Sequence, residues 1–130
     1  MQPEELSALI SNGFVEHLND STKCSDLGWN PHPAFEGVYI KHLIPGSKTE
    51  GQLSCHMVRI DPGCKLETHT HENQWELHEV IKGDGDALLD EKTMNYHPGR
   101  SAVIPKGKTH SVQAGKDGLT LLAKFFPALM

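Results

Sequence analysis

From Gly37 onward the chain is a succession of short apolar runs cut by turn residues. The runs read "GVYIKHLI", "QLSCHMVRI", "LETHTH", "WELHEVIKG", "DALLD", "TMNYH", "SAVIP", "HSVQA" and "LTLLAKFF". β-Branched and aromatic residues fill them, and "KGDG", "DEKT", "HPG", "PKGK" and "GKDG" stand between them as turn signals. So many short strands at fairly even spacing cannot bury a helical stripe; they call for a sandwich or a barrel. Closing or doubling the sheet also removes the hazard of open strand edges.

The 130 residues suit one domain with a hydrophobic core, and 37% apolar with 22% charged residues is a globular composition. Residues 37–130 read as the all-β barrel and residues 1–36 as an N-terminal extension. Within the extension, Leu6, Leu9 and Ile10 share one face of a short helix over residues 3–12, with Gly13 at its end. "GWNPHPAF", with its two prolines, reads as irregular. No apolar run reaches the ~20 residues that cross a bilayer, and the N-terminus lacks the features of a secretory signal. The net charge of −5, with no basic stripe, argues against a nucleic-acid partner. Cys24, Cys55 and Cys64 are odd in number and form no CxxC pair, which fits free thiols in the cytoplasm.

One stretch resists the reading as ordinary strand. "THTHENQWELHEVIKG", residues 68–83, carries three histidines and three glutamates where burial is expected. Buried carboxylates and imidazoles are costly unless paired. His69 and His71, two apart, share one strand face at roughly 6–7 Å along the backbone and can converge on one ion. Glu76 lies five positions past His71, so the chain must bend or bulge within "ENQW" for all three to meet. Beyond that bend Glu76, His78 and Val80 share a face, and Leu77, Glu79 and Ile81 the other.

The frame around these residues is more specific. Gly63, His69, His71, Glu76 and Gly83 are separated by five, one, four and six residues; Gly99, Pro105, Gly107 and His110 by five, one and two. Both segments resemble, spacing for spacing, the two motifs of the cupin superfamily, and the resemblance runs from about Gly37 to the end. It implies a double-stranded β-helix, a small jelly-roll barrel. It also implies a divalent metal in the barrel mouth on His69, His71, Glu76 and His110. Many cupins place Asn four residues past the last histidine, where this chain has Ala114. A sulfur-free set of imidazoles and one carboxylate suits Mn, Fe, Co, Ni, Cu or Zn. Four protein ligands in an octahedral shell leave two positions for water or substrate. Small cupins of this kind include isomerases, lyases and dioxygenases, so the resemblance implies a metal-dependent enzyme acting on a small polar or anionic metabolite in the barrel. The alternative is a non-catalytic sugar- or metabolite-binding cupin.

His78 shares the face of Glu76 and is the candidate catalytic residue, as a proton shuttle; the other reading is a histidine bonded to a neighbour. Trp75, Leu77 and Ile81 need a cover, supplied by the N-terminal segment or by a second subunit, and a homodimer is expected. In "QLSCHMVRI" the phase is open: Cys55, Met57 and Arg59 line the cavity, or Ser54, His56, Val58 and Ile60 do. Lys41 and His42 share that ambiguity, and Arg59 reads more readily as an outer-face ion pair. Cys55 and Cys64 read as small core residues.

Overall fold

Two long strands organise the molecule. The computed structural model describes residues 1–130. It contains α1 (Pro3–Ser11), β1 (Phe14–Glu16), β2 (Ser21–Lys23), β3 (Asn30–Pro31), β4 (Val38–Ile44), β5 (Ser54–Ile60) and β6 (Lys65–His69), then β7 (Trp75–Leu89), β8 (Lys92–Tyr96), β9 (Ser101–Ile104) and β10 (His110–Phe126). β7 and β10 each absorb two of the expected short strands. They pair antiparallel from His110↔Leu89 at one end to Phe126↔Trp75 at the other.

The expected turns at "KGDG" and "GKDG" are therefore not turns. They lie opposite one another, and the chain runs through both. Ala114 pairs with Gly85 and Leu119 with Gly83, so the four residues between Ala114 and Leu119 stand against Asp84 alone. This bulge bends both strands. Gly83 makes it possible: its φ is +81°, and a Cβ there would run into the carbonyl oxygen of Gly118. Turn-like composition marks a bend here, because a glycine-rich segment serves either purpose.

The bend sends each half of β7 and β10 into a different sheet. Leu119–Phe125 of β10 pairs with β5, which continues through β4 to β3. The first half of β7 carries β9 on its other side. The second sheet runs from β6 through the first half of β10 and the second half of β7 to β8. These two antiparallel sheets form the jelly-roll barrel that the sequence leads one to expect.

The larger core fills the barrel, with Ile60, Leu119, Leu121 and Val112 each nearly or fully excluded from solvent. A second cluster lies on the outside of the β4–β5 sheet. Cys24, Leu43, Cys55, Met57 and Ile81 are buried there beneath Ile10, Val15, Leu27 and Trp29 of the N-terminal segment. Lys41 pins that segment down. Its buried ammonium donates to the Ser11 carbonyl (3.0 Å), the Ser11 hydroxyl (3.1 Å) and the Cys24 carbonyl (3.1 Å). The Ser11 contact lies at the carbonyl end of α1, which favours a cation.

The open phase of β5 is thereby settled. Cys55, Met57 and Arg59 point out of the barrel; Ser54, His56, Val58 and Ile60 point in. Arg59 stacks over Trp29 (4.9 Å) and Tyr39 (4.5 Å) and lies 3.9 Å from Asp61. Burial pushes the Cys55 thiol up to about 11, as befits a core residue. The N-terminal segment covers Ile81 but leaves Trp75 46% exposed, beside Phe126 at 42% and Val103 at 60%. No helix is long and apolar enough to cross a membrane.

Candidate metal centre

Strand register brings the cluster together. His69 ends β6 and His110 begins β10, and the two are cross-strand partners with ring centroids 4.2 Å apart. Glu76 projects from the start of β7 opposite Phe125. His71 lies in the connection between β6 and β7, which leaves extended structure after His69 and regains it at Trp75. The required bend is therefore a short loop. The Gly107 amide donates to the His71 carbonyl at 3.0 Å and ties that loop to the turn before β10. One ligand atom from each of His69, His71, Glu76 and His110 falls within 4.8 Å of the others.

Hydrogen bonds outside the cluster set which nitrogens face inward. His69 Nδ1 donates to the Glu67 carbonyl at 2.7 Å, and His110 Nδ1 to the Lys108 carbonyl at 3.1 Å. Each bond leaves the Nε2 lone pair directed at the cluster, the arrangement a metal-binding imidazole needs. Burial pulls the His69 imidazole down to about 4 and lowers that of His71, so both are neutral near pH 7.

Glu76 is 4% exposed and bears the strain of the site. Burial alone raises a carboxyl group, but the charge and hydrogen bond of His78, with the nearby His110 imidazole, outweigh it and hold Glu76 below the ordinary carboxylate range. Its Oε2 accepts from His78 Nε2 at 2.6 Å, and His78 Nδ1 meets the Tyr96 hydroxyl at 2.8 Å. Burial, and then the charge of Glu76, push the Tyr96 phenol up, so it remains protonated. Oε1 has no such partner. It lies 3.0 Å from His110 Nε2 and 3.8 Å from His71 Nε2, yet Oε1 and His110 Nε2 are both buried without a well-aligned hydrogen bond. With Nδ1 of His110 donating to Lys108, the neutral ring brings two acceptors within 3.0 Å with no proton aligned between them. Only a positive charge between them relieves this, either a proton, toward which Glu76 raises the His110 imidazole, or a metal ion.

The cluster opens into a cavity of about 100 Å³ inside the barrel. Ile40, Val58, Leu66, Leu121, Ala123, Phe125 and Leu129 form its apolar walls. His78 borders it, but both ring nitrogens are already engaged. His42 and His56 also line it; the sequence placed both on strands whose inward phase it left open.

These features define a jelly-roll barrel with a candidate metal cluster at one end of its cavity. The cupin-domain model matches residues 56–123, more than half of the chain, and the chain belongs to the cupin family. No curated protein sequence matches it. Among solved structures it is similar to KdgF from Halomonas sp., at 20% identity over 79% of this chain and 90% of that one, with a TM-score of 0.69. It is also similar to an RmlC-like cupin from Shewanella frigidimarina, at 18% identity over 89% and 95%, TM-score 0.72. A third similar structure is oxalate decarboxylase from Bacillus subtilis, a protein with Mn(II) centres, at 21% identity over 82% of this chain and 29% of that one, TM-score 0.70. Likeness at this level of identity establishes the fold.

Proposed function

We propose that this cupin is a metal-dependent enzyme that holds one divalent first-row transition metal ion on His69, His71, Glu76 and His110 and acts on a small metabolite in the adjoining cavity. The supporting observation is the buried, partnerless pair of Glu76 Oε1 and His110 Nε2 at 3.0 Å, with His69 Nε2 and His71 turned toward the same point. The donor set, three imidazoles and one carboxylate, matches the borderline-to-hard ions from Mn to Zn. When bound, such an ion supplies a Lewis acid, or a redox centre, for the substrate's oxygen atoms. Glu76 contributes the negative charge, His78 holds Glu76 from behind, and Tyr96 holds His78. Phe125 walls the site, edge-on to His71 at 5.0 Å between ring centroids.

His78 is better suited to positioning Glu76 than to moving a substrate proton, since neither ring nitrogen is free. The reaction type, whether isomerase, lyase or dioxygenase, follows from the metal and the substrate. Elemental analysis of the purified protein, paired with a turnover screen of small acids and sugars, tests the proposal. A second reading, a non-catalytic binding cupin, is favoured by the apolar half of the cavity lining; binding without turnover across the screen would select it.

The exposed Trp75, Val103 and Phe126 support a homodimer through that face. Three free cysteines support a reducing compartment such as the cytoplasm.

A further inference from the structure

The cavity contains a second histidine group, outside the metal cluster. His42 on β4 and His56 on β5 are cross-strand partners, and their Nδ1 atoms lie 2.8 Å apart. His56 Nε2 is 2.9 Å from the Ser54 hydroxyl, which accepts from the Leu129 amide at 2.9 Å. Ser54 and His56 are buried at 0% and 2% exposure. Nε2 of His42 is neither bonded within the protein nor buried, and the residue lines the cavity. Phe125 stands between the two groups, edge-on to both His71 and His56.

A contact between two Nδ1 atoms holds one proton, so one ring donates and the other accepts. Two arrangements put one proton in each contact, and the first also gives the Ser54 hydroxyl an acceptor. In one, the Ser54 hydroxyl donates to His56 Nε2, His56 Nδ1 donates to His42 Nδ1, and His42 presents an N–H at Nε2. In the other, His42 Nδ1 donates to His56, His56 Nε2 donates to Ser54, and His42 presents a lone pair. Burial lowers both imidazoles, His56 to about 4, and neither arrangement requires a charge.

We propose that His42 Nε2 is the cavity's second ligand contact, held by His56 and Ser54 so that it donates to or accepts from a hydroxyl or carbonyl oxygen of the substrate. This rests on the metal-site reading, in which the ion takes the substrate's anionic end. No arginine or lysine lines the cavity. A second carboxylate at the His42 end would lie buried without a cation, which is costly. The substrate class is therefore a small metabolite with at most one anionic group and a neutral oxygen at the far end. The two arrangements let His42 meet either a hydroxyl or a carbonyl oxygen, according to which of its tautomers is present.

Two measurements test this. The first is nitrogen NMR on the histidine rings, with or without metal. A scalar coupling between the Nδ1 nuclei of His42 and His56, across their shared hydrogen bond, is expected. Absence of the coupling, with His42 averaging its tautomers as a free imidazole does, would overturn the relay. The second is calorimetric titration of Mn(II)-loaded protein with matched pairs, γ-hydroxybutyrate against succinate and δ-hydroxyvalerate against glutarate. A hydroxy acid should bind the wild type more tightly than its dicarboxylate partner. His42→Leu should weaken the hydroxy acid by up to about tenfold, leaving the dicarboxylate and the metal content unchanged. Equal affinities in the variant and the wild type, tighter dicarboxylates, or no binding of either series to metal-loaded protein would overturn the proposal. Failure to take up Mn(II) at all would strike instead at the metal site, while the NMR result would still decide the relay.

Discussion

Replacing His78 separates its two roles. Its Nε2 is the only partner of Glu76 Oε2, at 2.6 Å, and the two side chains are 1% and 4% exposed. His78→Ala leaves that oxygen buried and unpaired. Breaking a buried charged pair from one side costs ~3 kcal/mol or more, and losing a partner that orients a metal ligand costs ~10- to 100-fold in metal affinity. For a domain of this size the stability loss corresponds to a melting temperature lower by roughly 10 °C. His78→Gln keeps an N–H donor for Oε2 and loses only the Tyr96 contact, so it should recover most of the metal affinity. Chelator competition gives the affinity, and thermal unfolding with and without metal gives the stability. Turnover should track metal occupancy in both variants if His78 positions Glu76. A fall of ~10²–10⁴ in His78→Gln at full occupancy would instead identify a proton shuttle. Wild-type affinity in His78→Ala would refute the positioning argument.

Three further outcomes are expected. Metal-free protein should lose stability as pH falls from 7 to 5: the unfolded His56 binds a proton near pH 6.5 and the folded one only near 4, so the unfolded state holds more protons in that window. His56 alone contributes about 2 kcal/mol to the loss, measurable by denaturant unfolding at the two pH values, and a flat profile would contradict its burial as a neutral ring. Gly83→Ala should destabilise by more than ~2 kcal/mol, since a Cβ there meets both a left-handed φ and the Gly118 carbonyl; wild-type unfolding would show that the bend relaxes freely. The protein should sediment as a dimer at micromolar concentration and Trp75→Lys should shift it toward monomer, whereas a wild-type monomer would leave the exposed Trp75 face without a partner subunit.

The barrel was legible because alternating runs and turn residues carry it, and the glycine-framed histidine spacings fixed its kind. Less legible was whatever depends on long-range register. "KGDG" and "GKDG" look like turns in isolation; only their placement opposite each other shows a shared bend. The run "LETHTH" reads as strand through His71, but pairing stops at His69. The inward phase of β5, which puts His56 in the cavity, depends on the alignment of β5 with β4 and β10, and local composition does not encode that alignment. The cover over Ile81 likewise needed the path of the N-terminal segment, whose anchor, Lys41, looks like a surface lysine in sequence.

The central claim is that a metal ion relieves the close, unbonded approach of Glu76 Oε1 and His110 Nε2. Elemental analysis of protein purified without chelators, for the wild type, for His69→Ala, His71→Ala and His110→Ala, and for His17→Ala in the N-terminal segment outside the cluster, tests it most directly. The expected result is one first-row divalent ion per chain in the wild type and in His17→Ala, and a sharp loss in the other three. A wild type that takes up no such ion, even after incubation with Mn(II), Fe(II) or Zn(II), or equal content across all five proteins, would contradict it.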